Sequence, residues 1–368
     1  MKISCTQENL HRGLNVISHL AAKNTNLPIL NNVLIKTKEG GVVLSATNLE
    51  IGINCLVRAK VEKEGVFTAP ANLLANFISL LSSEEKVDIE LINKELIIQS
   101  GNQKTKIKGE DASEFPLIPD VAKEDRYVVK SADLKEALSQ VVFASSLDET
   151  RIEISGILFN FNKNGLTLAA TDSYRLAEKK VSCKEKGKDK QIIIPQRTAA
   201  EFLRILAITN EEDVQIYTND NQVLFSLDQI EVVSRLIEGN YPDYTQIIPK
   251  QEKTQIITEK SELITVIKRA ALFSKSGIND VNLEFNIDKQ LIVVKAASSQ
   301  VGENLNELPA EIKGDNNSIV FNFRYLLDGL NNLSGNKIIL KIIDSGSPGI
   351  FRGENEENYL YIIMPIKQ

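Results

Sequence analysis

Apolar residues recur along this chain with two periods, and the two alternate in a set order. Leu10, Leu14, Ile17 and Leu20 fall at helical spacing behind Thr6, a residue suited to cap a helix N-terminus. Leu73, Leu74, Phe77, Ile78 and Leu81 make a second stripe just after Pro70, and proline is favoured in a first helical turn. Residues 2–5, 29–37, 41–46, 51–61, 87–92, 95–100 and 104–108 alternate and read as strands. The order then returns. Tyr127-Val128-Val129 is a strand, Ser131 a cap, and Leu134, Leu138, Val141 and Val142 a stripe; strands follow at 156–162 and 166–170, and the lysine-rich 184–190 is a solvated turn. Pro195 opens the next helix, with Ala199, Phe202, Leu203 and Leu206 on its apolar side. A third pass gives a cap at Ser261, a stripe of Leu263, Ile264, Ile267 and Ala271, strands near 283–286 and 291–295, and a helix carrying Tyr325, Leu326, Leu330 and Leu333.

The stretch Asn164-Gly165-Leu166-Thr167-Leu168-Ala169-Ala170-Thr171-Asp172-Ser173-Tyr174-Arg175-Leu176 shows the repeat most plainly. Its counterparts place Thr47 124 residues earlier and Ala297 126 residues later, and Pro70 and Pro195 stand 125 apart. That period is the length of a domain, far beyond a solenoid unit. Three domains are expected, at 1–125, 126–250 and 251–368. Phe115-Pro116 and the charged run Lys123-Glu124-Asp125-Arg126 link the first two, and Tyr241-Pro242-Asp243-Tyr244 closes the second. Two one-sided helices and about eight strands per unit predict an α+β fold, its helices packed on antiparallel sheets.

Composition narrows the chemistry. At 42% hydrophobic and 25% charged, the 368 residues suit a soluble globular protein, and nowhere do 18 apolar residues run together. No membrane segment is expected, and cytoplasmic residence is the default. Cys5, Cys55 and Cys183 are scattered, which fits reduced, buried thiols better than disulfides or zinc. The two histidines, His11 and His19, sit on one predicted helix, and no GxGxxG, P-loop or HExxH is present. A net charge of −6 argues against a surface that is basic throughout. The charge is nevertheless sorted, because the polar helix faces carry Arg12, Lys135, Arg197, Arg204, Lys268, Arg269 and Arg324 with few acids. Such faces suit phosphate contacts without base reading, and equally suit plain solvation. The Thr171–Leu176 elbow reads either as a catalytic cluster or as a turn in which Asp172 caps and Arg175 pairs with a carboxylate. The tail Ile362-Ile363-Met364-Pro365 reads as a last core strand or as the wall of a groove for apolar peptides.

Four motifs, Leu27-Pro28-Ile29-Leu30, Ala170-Thr171-Asp172-Ser173-Tyr174-Arg175-Leu176, Tyr241-Pro242-Asp243-Tyr244 and Ile363-Met364-Pro365, together resemble the bacterial DNA sliding clamps, the β subunits of DNA polymerase III. The resemblance spans the whole chain in register. It implies a head-to-tail homodimeric ring, twelve helices lining its hole, sheets on its rim, and no catalysis or cofactor. It further implies that the ring encircles duplex DNA regardless of sequence and tethers the replicative polymerase, a clamp loader and other partners through short peptides, in the cytoplasm at the nucleoid.

Carried over by position, the implied peptide pocket comprises Ile154, Thr171, Ser173, Tyr174, Arg175, Leu176, Pro242, Ile247, Ser347, Ile362, Ile363, Met364, Pro365 and Ile366. Lys23 and Asn24 join the DNA-facing residues, and Ile107 is expected to meet Leu272 and Phe273 of a second protomer. Ser173-Tyr174 stands where Gly-His is common in the family, and Gln246 and Lys367 where arginines often occur. The helix after Pro70 carries no Lys or Arg from Asn72 to Leu81, so it offers that arc of the hole little charge. A duplicated hydrolase with its site at Asp172 and a scaffold that meets only proteins are the rival classes.

Overall fold

The computed structural model describes residues 1–21, 26–123, 125–148, 150–185 and 187–367. Six α-helices recur in three pairs: α1 (Gln7–Ser18) and α2 (Ala71–Ser79), α3 (Ser131–Val141) and α4 (Gln196–Ile208), α5 (Lys260–Ala271) and α6 (Phe323–Asn332). Each follows a strand directly, and local chemistry turns the chain at that point. Thr6 accepts a hydrogen bond from Asn9 N at 3.3 Å ahead of α1, and Asn322 does the same for Arg324 N at 2.9 Å ahead of α6. Pro70 stands at the N-cap of α2. Leu10, Leu14, Ile17, Leu134, Leu138, Phe202, Leu263, Ile267, Leu326 and Leu330 are buried, as their spacing predicts.

Several details differ from the sequence reading. Each repeat contributes nine strands among the described residues, because residues 51–61 divide into Ile51–Arg58 and Lys60–Lys63. Pro28–Asn31 forms a 3-10 turn before the strand Asn32–Lys38, since proline cannot donate to a sheet ladder. Ser131 is the first residue of its helix rather than its cap, and Ser261 lies inside α5, whose N-cap is Glu259. Cys5 and Cys55 are buried, which pushes their thiols up to about 12 and about 11, whereas Cys183 is only half-buried.

Backbone pairing gathers the chain into two compact units. The first comprises Met1–Ala132, Cys183–Gly187 and Ala200–Leu236. It holds a five-stranded sheet in the order Lys60–Lys63, Lys2–Thr6, Lys86–Ile92, Glu95–Ser100, Gln103–Lys108. Its nine-stranded sheet runs Cys183–Glu185, Asp125–Lys130, Asp213–Thr218, Gln222–Leu227, Ile230–Arg235, Ile51–Arg58, Gly41–Thr47, Asn32–Lys38, Val66–Pro70. The second unit comprises Asp133–Ser182, Lys188–Ala199 and Ile237–Gln368. Its nine-stranded sheet runs Lys190–Pro195, Gly156–Asn162, Gly165–Thr171, Arg175–Val181, Tyr359–Ile363, Gly349–Gly353, Lys337–Ile342, Thr254–Glu259, Glu311–Gly314. A four-stranded sheet, Gly302–Pro309, Leu291–Ser298, Asp280–Asn286, Asn317–Asn322, completes it.

Each repeat therefore builds one five-stranded and one four-stranded half, and the middle repeat gives one half to each unit. The joints are antiparallel ladders: Ile230–Arg235 on Ile51–Arg58 in the first unit, Arg175–Val181 on Tyr359–Ile363 in the second.

Helix packing on these sheets is close enough to dictate glycine. In α6, a Cβ at Gly329 would lie 2.0 Å from Tyr361 Cε1, a ring that is fully buried. Alanine is the better helix former by about 1 kcal/mol, but overpacking a core costs about 1–3 kcal/mol. Gly329→Ala is expected to lower the unfolding free energy, measured by urea denaturation; a variant as stable as the parent would refute this packing.

Candidate functional site

The elbow between the strands Gly165–Thr171 and Arg175–Val181 is built by its own side chains. Asp172 Oδ1 accepts from Tyr174 N at 2.9 Å and from Arg175 N at 3.0 Å. Thr171 Oγ1 donates to Arg175 O at 2.6 Å and accepts from Ser173 N at 3.1 Å. These bonds hold Ser173 at φ 78°, a left-handed conformation uncommon outside glycine. Its hydroxyl projects outward and meets Arg151 Nη1 at 2.5 Å.

Arg175 does not reach into solvent. Its Nε donates to Asp172 Oδ2 at 2.9 Å, Nη1 to Asp328 Oδ2 at 2.5 Å, and Nη2 to the Phe143 carbonyl at 2.8 Å. The guanidinium also lies 4.6 Å from the Tyr325 ring centre and 5.5 Å from that of Phe143. A planar fork with this many partners holds the elbow to α6 and to the turn after α3. Arg175 thus fits the turn reading, in which it pairs with a carboxylate, and all three of its guanidinium nitrogens bond within the chain. Tyr174, 63% exposed, stacks on Tyr325 with ring centres 6.4 Å apart. Phe143, Arg151, Tyr325 and Asp328 escaped the sequence reading as parts of this site. Tyr325 read as a helix stripe residue, and nothing in the spacing linked it to the elbow.

The C-terminal tail completes the cluster. Leu176 pairs with Ile362 and Arg175 with Ile363, Met364 N donates to Tyr174 O at 2.8 Å, and Ile366 N donates to Val320 O at 2.8 Å. The core-strand reading holds for Ile362 and Ile363, and the strand passes directly into a half-buried segment at Met364. Leu176, Ile362 and Ile363 are fully buried, and Ile154 and Thr171 nearly so, which makes them the floor beneath the site rather than its open lining. Leu176 and Ile362 pack with Leu158, Ala169, Tyr244, Ile350 and Leu360. Met364, Pro365 and Ile366 are half-buried, Pro242 is exposed and Ile247 is 42% exposed. Ser347 is half-buried in a turn just before Gly349–Gly353, the strand that pairs with the tail. Gln246 is held by Asp243 at 2.9 Å, and Lys367 is exposed.

Beneath the same strand lies a buried polar knot. Lys179 Nζ bonds Glu136 Oε1 and Glu356 Oε1, each at 2.9 Å, and faces the Tyr359 ring. Glu356 also accepts from Gln140 Nε2 at 2.7 Å, Ser334 N at 3.0 Å and Ser334 Oγ at 3.1 Å. Burial by itself would raise the Glu356 pKa, yet these donors outweigh it and hold the carboxyl below the usual carboxylate range.

Of the basic helix residues, Arg12, Lys135, Arg197, Lys268, Arg269 and Arg324 are exposed, Arg12 with a 3.4 Å contact to Glu211. Arg204 is turned onto the end of α1, donating to Asn15 O, Val16 O and Glu201 Oε1, so the expected outward placement is corrected. Those carbonyls end a helix and attract a cation. Lys23 and Asn24 lie outside the described residues. Leu272 is 76% exposed and Phe273 half-buried just after α5, but Ile107 is 4% exposed. Alternation turns Ile107 inward between outward Lys106 and Lys108, so within the chain it is a core residue and not an open anchor.

Comparison with known proteins agrees along the full length. Family models of the N-terminal, central and C-terminal domains of the DNA polymerase III beta subunit match residues 1–119, 128–243 and 245–367. A beta sliding clamp from Synechococcus elongatus is 29% identical over 372 residues, covering 100% of this chain and 99% of the relative. One from Staphylococcus aureus is 29% identical over 355 residues, 93% of each. Among solved structures, the DNA polymerase III beta subunit of Thermotoga maritima superposes with a TM-score of 0.92 at 26% identity, covering 100% of this chain and 99% of that one. The sliding clamp of Bacillus subtilis gives 0.92 at 27% with the same coverage. A sliding clamp of Bartonella birtlesii bound to griselimycin gives 0.92 at 26%, covering both chains fully.

The knot under the elbow strand carries a pH dependence. Because the folded Glu356 pKa is lowered, the stability it adds is present above the unfolded value and is lost as pH falls through the folded one. Glu356→Gln is expected to destabilise at pH 7 by about 3 kcal/mol, the low end for a broken buried pair because Glu136 still meets Lys179. It should also flatten the loss of stability below about pH 4, near the ordinary carboxylate range. Urea unfolding at pH 7 and in acid reads both effects; an unchanged acid limb would remove Glu356 as the cause.

Proposed function

The chain belongs to the DNA polymerase III beta-subunit family, the bacterial sliding clamps, non-catalytic processivity factors of DNA replication, and from that premise we propose how this sequence performs the task. Two copies close head to tail into a ring of six repeats, with repeats bounded at 1–125, 126–250 and 251–368. The ring encircles duplex DNA, slides on it without reading sequence, and tethers the replicative polymerase and other partners in the cytoplasm.

One observation carries this reading. Within the chain, the five-stranded half of one repeat is joined to the four-stranded half of its neighbour twice over. Two halves are left over: a five-stranded one ending at Gln103–Lys108 and a four-stranded one beginning at Gly302–Pro309. Their outer strands are edges of the kind that proteins cover or pair. The first edge carries Lys104, Lys106 and Lys108, the second Glu303 and Glu307. Nearby helix ends expose Leu73 (55%) in α2 and Leu80 (83%) just after it, and Leu272 (76%) and Ile278 (48%) after α5. A second copy that supplies each missing half satisfies both edges, and unlike surfaces that meet this way form closed rings when the rotation permits.

In that ring Arg12, Lys135, Arg197, Lys268, Arg269 and Arg324 face the phosphates, and a loader opens the closed dimer to admit DNA. The elbow cluster is the partner pocket. Tyr174, Pro242, Ile247, Met364, Pro365 and Ile366 form its accessible lining over the buried floor of Leu176, Ile362 and Ile363. Arg175 positions the elbow from behind. Relatives solved with griselimycin bound support a ligand-accepting surface in the family. One or two apolar anchors bury little area, so binding near micromolar, roughly −8 kcal/mol, is expected, and that lets partners exchange.

Clamp loaded onto nicked circular DNA should be retained through gel filtration and released when the circle is cut. Leu272→Ala with Phe273→Ala should elute as a monomer and lose that retention, since truncating central interface anchors costs about 2 kcal/mol or more. Retention on linear DNA equal to that on circles would sink the ring. For the pocket, a chain ending at Ile363 should fail to bind a polymerase-derived clamp peptide by calorimetry yet still dimerise. Wild-type peptide affinity in that truncation would place the pocket elsewhere.

A further inference from the structure

The two nine-stranded sheets share one register, and comparing them row by row shows a difference that clamp function does not use. In the second unit a row across four strands reads Leu158, Ala169, Glu178, Leu360. The matching row in the first unit reads Leu34, Ser45, Asn54, Glu231. Tyr244 lies over the former, packed on Leu158, Ala169 and Leu360, with its hydroxyl donating to Glu178 Oε2 at 2.7 Å.

The latter lacks that ring: Leu34 packs against Phe115 and Ser45 is buried, while Asn54 and Glu231 are half-buried. Ile118 occupies the place of Tyr244, counted from Pro116 and Pro242, and it is drawn down onto Gly52, which stands where the other sheet has Leu176. A Cβ at Gly52 would lie 2.6 Å from Ile118 Cγ2, so this side chain is committed there. An open groove of about 890 Å³ remains beside it, lined by this row and by Phe115.

The next row strengthens the contrast. It reads Asn160, Thr167, Lys180 in the covered sheet but Lys36, Val43, Leu56 in the groove. Val43 and Leu56 are half-buried apolar residues where the twin is polar. At the floor Ser45 Oγ donates to Asn54 Oδ1 at 2.7 Å. Asp111, Asp120, Asp228 and Glu231 stand on the walls against Lys36 and Lys38. Glu231 is paired with Lys123 at 2.9 Å, and Asp111 accepts from Ser113 N at 3.0 Å.

We propose that this groove docks an extended segment of a partner protein that carries a tyrosine anchor flanked by basic residues. The ring takes the place that Tyr244 fills in the twin, its hydroxyl meets Asn54 or Glu231, and the flanking cations answer the acidic walls. The proposal is independent of the pocket in the second unit.

The full-length protein, labelled at Ile, Leu and Val methyls and Met methyls, is titrated by NMR with the blocked peptide Gly-Lys-Tyr-Lys-Gly and with its Phe and Ala counterparts. Shifts are expected at Leu34, Val43 and Leu56 and not at Ile247 or Met364. Tyr should bind about tenfold more tightly than Ala and several-fold more tightly than Phe, roughly the worth of one aromatic anchor and one hydrogen bond. Val43→Thr with Leu56→Lys, which installs the twin's polar row, should cost about tenfold. Ile118→Tyr, which supplies the ring from the chain itself, should block the groove, while Met364→Ala should change nothing. Equal binding of Tyr and Ala peptides, shifts at Ile247 and Met364 instead, or no shift at millimolar peptide would each overturn the proposal.

Discussion

A β-strand at the edge of a sheet presents a row of unpaired N–H and C=O groups, and the architecture of this chain follows from how its edges are satisfied. Each repeat builds two half-sheets, and each joint between repeats is one antiparallel ladder. The middle repeat is consequently divided between two compact units, each with its own nine-stranded sheet. Among the edges that remain, Gln103–Lys108 and Gly302–Pro309 stand where the other repeats make their joints, and they carry opposite charge. In the proposed ring, assembly would continue folding, using the joint that the chain already makes twice.

The candidate partner site grows out of one of these joints. Its elbow is not unique, since Thr47–Ile51 reproduces the bonds of Thr171–Arg175. Thr47 Oγ1 donates to Ile51 O at 2.8 Å, Asn48 Oδ1 accepts from Glu50 N and Ile51 N, and Leu49 sits at φ 78°, like Ser173. Arg235 N donates to Glu50 O as Met364 N does to Tyr174 O. The backbone device is therefore structural, and what distinguishes the second joint is its side chains. Arg175 is gripped by Asp172, Asp328 and the Phe143 carbonyl, and Tyr174 stands out over Tyr325. At the first joint Glu50 and Arg235 hold the corresponding exposed positions, so an apolar partner finds no equivalent surface there.

Repetition also makes each sheet a control for the other. With Gly52 where the twin has Leu176 and Ile118 where it has Tyr244, one side chain is redirected and a row of the first sheet lacks the tyrosine that covers its twin. Two small changes thus separate a surface filled by a tyrosine from a grooved one. Half-buried Val43 and Leu56 persist there, where the covered sheet has Thr167 and Lys180.

Periodicity by itself determined the helices, most strands, the three-fold repeat and the α+β class, because each rests on local spacing and on capping at Thr6 and Pro70. The elbow was legible too, since Thr171, Asp172 and Arg175 bond within five residues. Tertiary structure alone decided which charged and apolar side chains are free to act. Arg204 looks like an outward cation in sequence, yet it is spent on Glu201 and on the carbonyls of Asn15 and Val16, and the Asp328 that Arg175 meets lies 153 residues from it. Leu176, Ile107 and Ile362 look like surface anchors yet are buried, because facing inward or outward is settled by the strand register and by whatever packs above. Tyr325 and Phe143 joined the site only through the fold that carries α6 and the turn after α3 to the elbow. Spacing reveals which residues share a face; only the packed chain determines what that face meets.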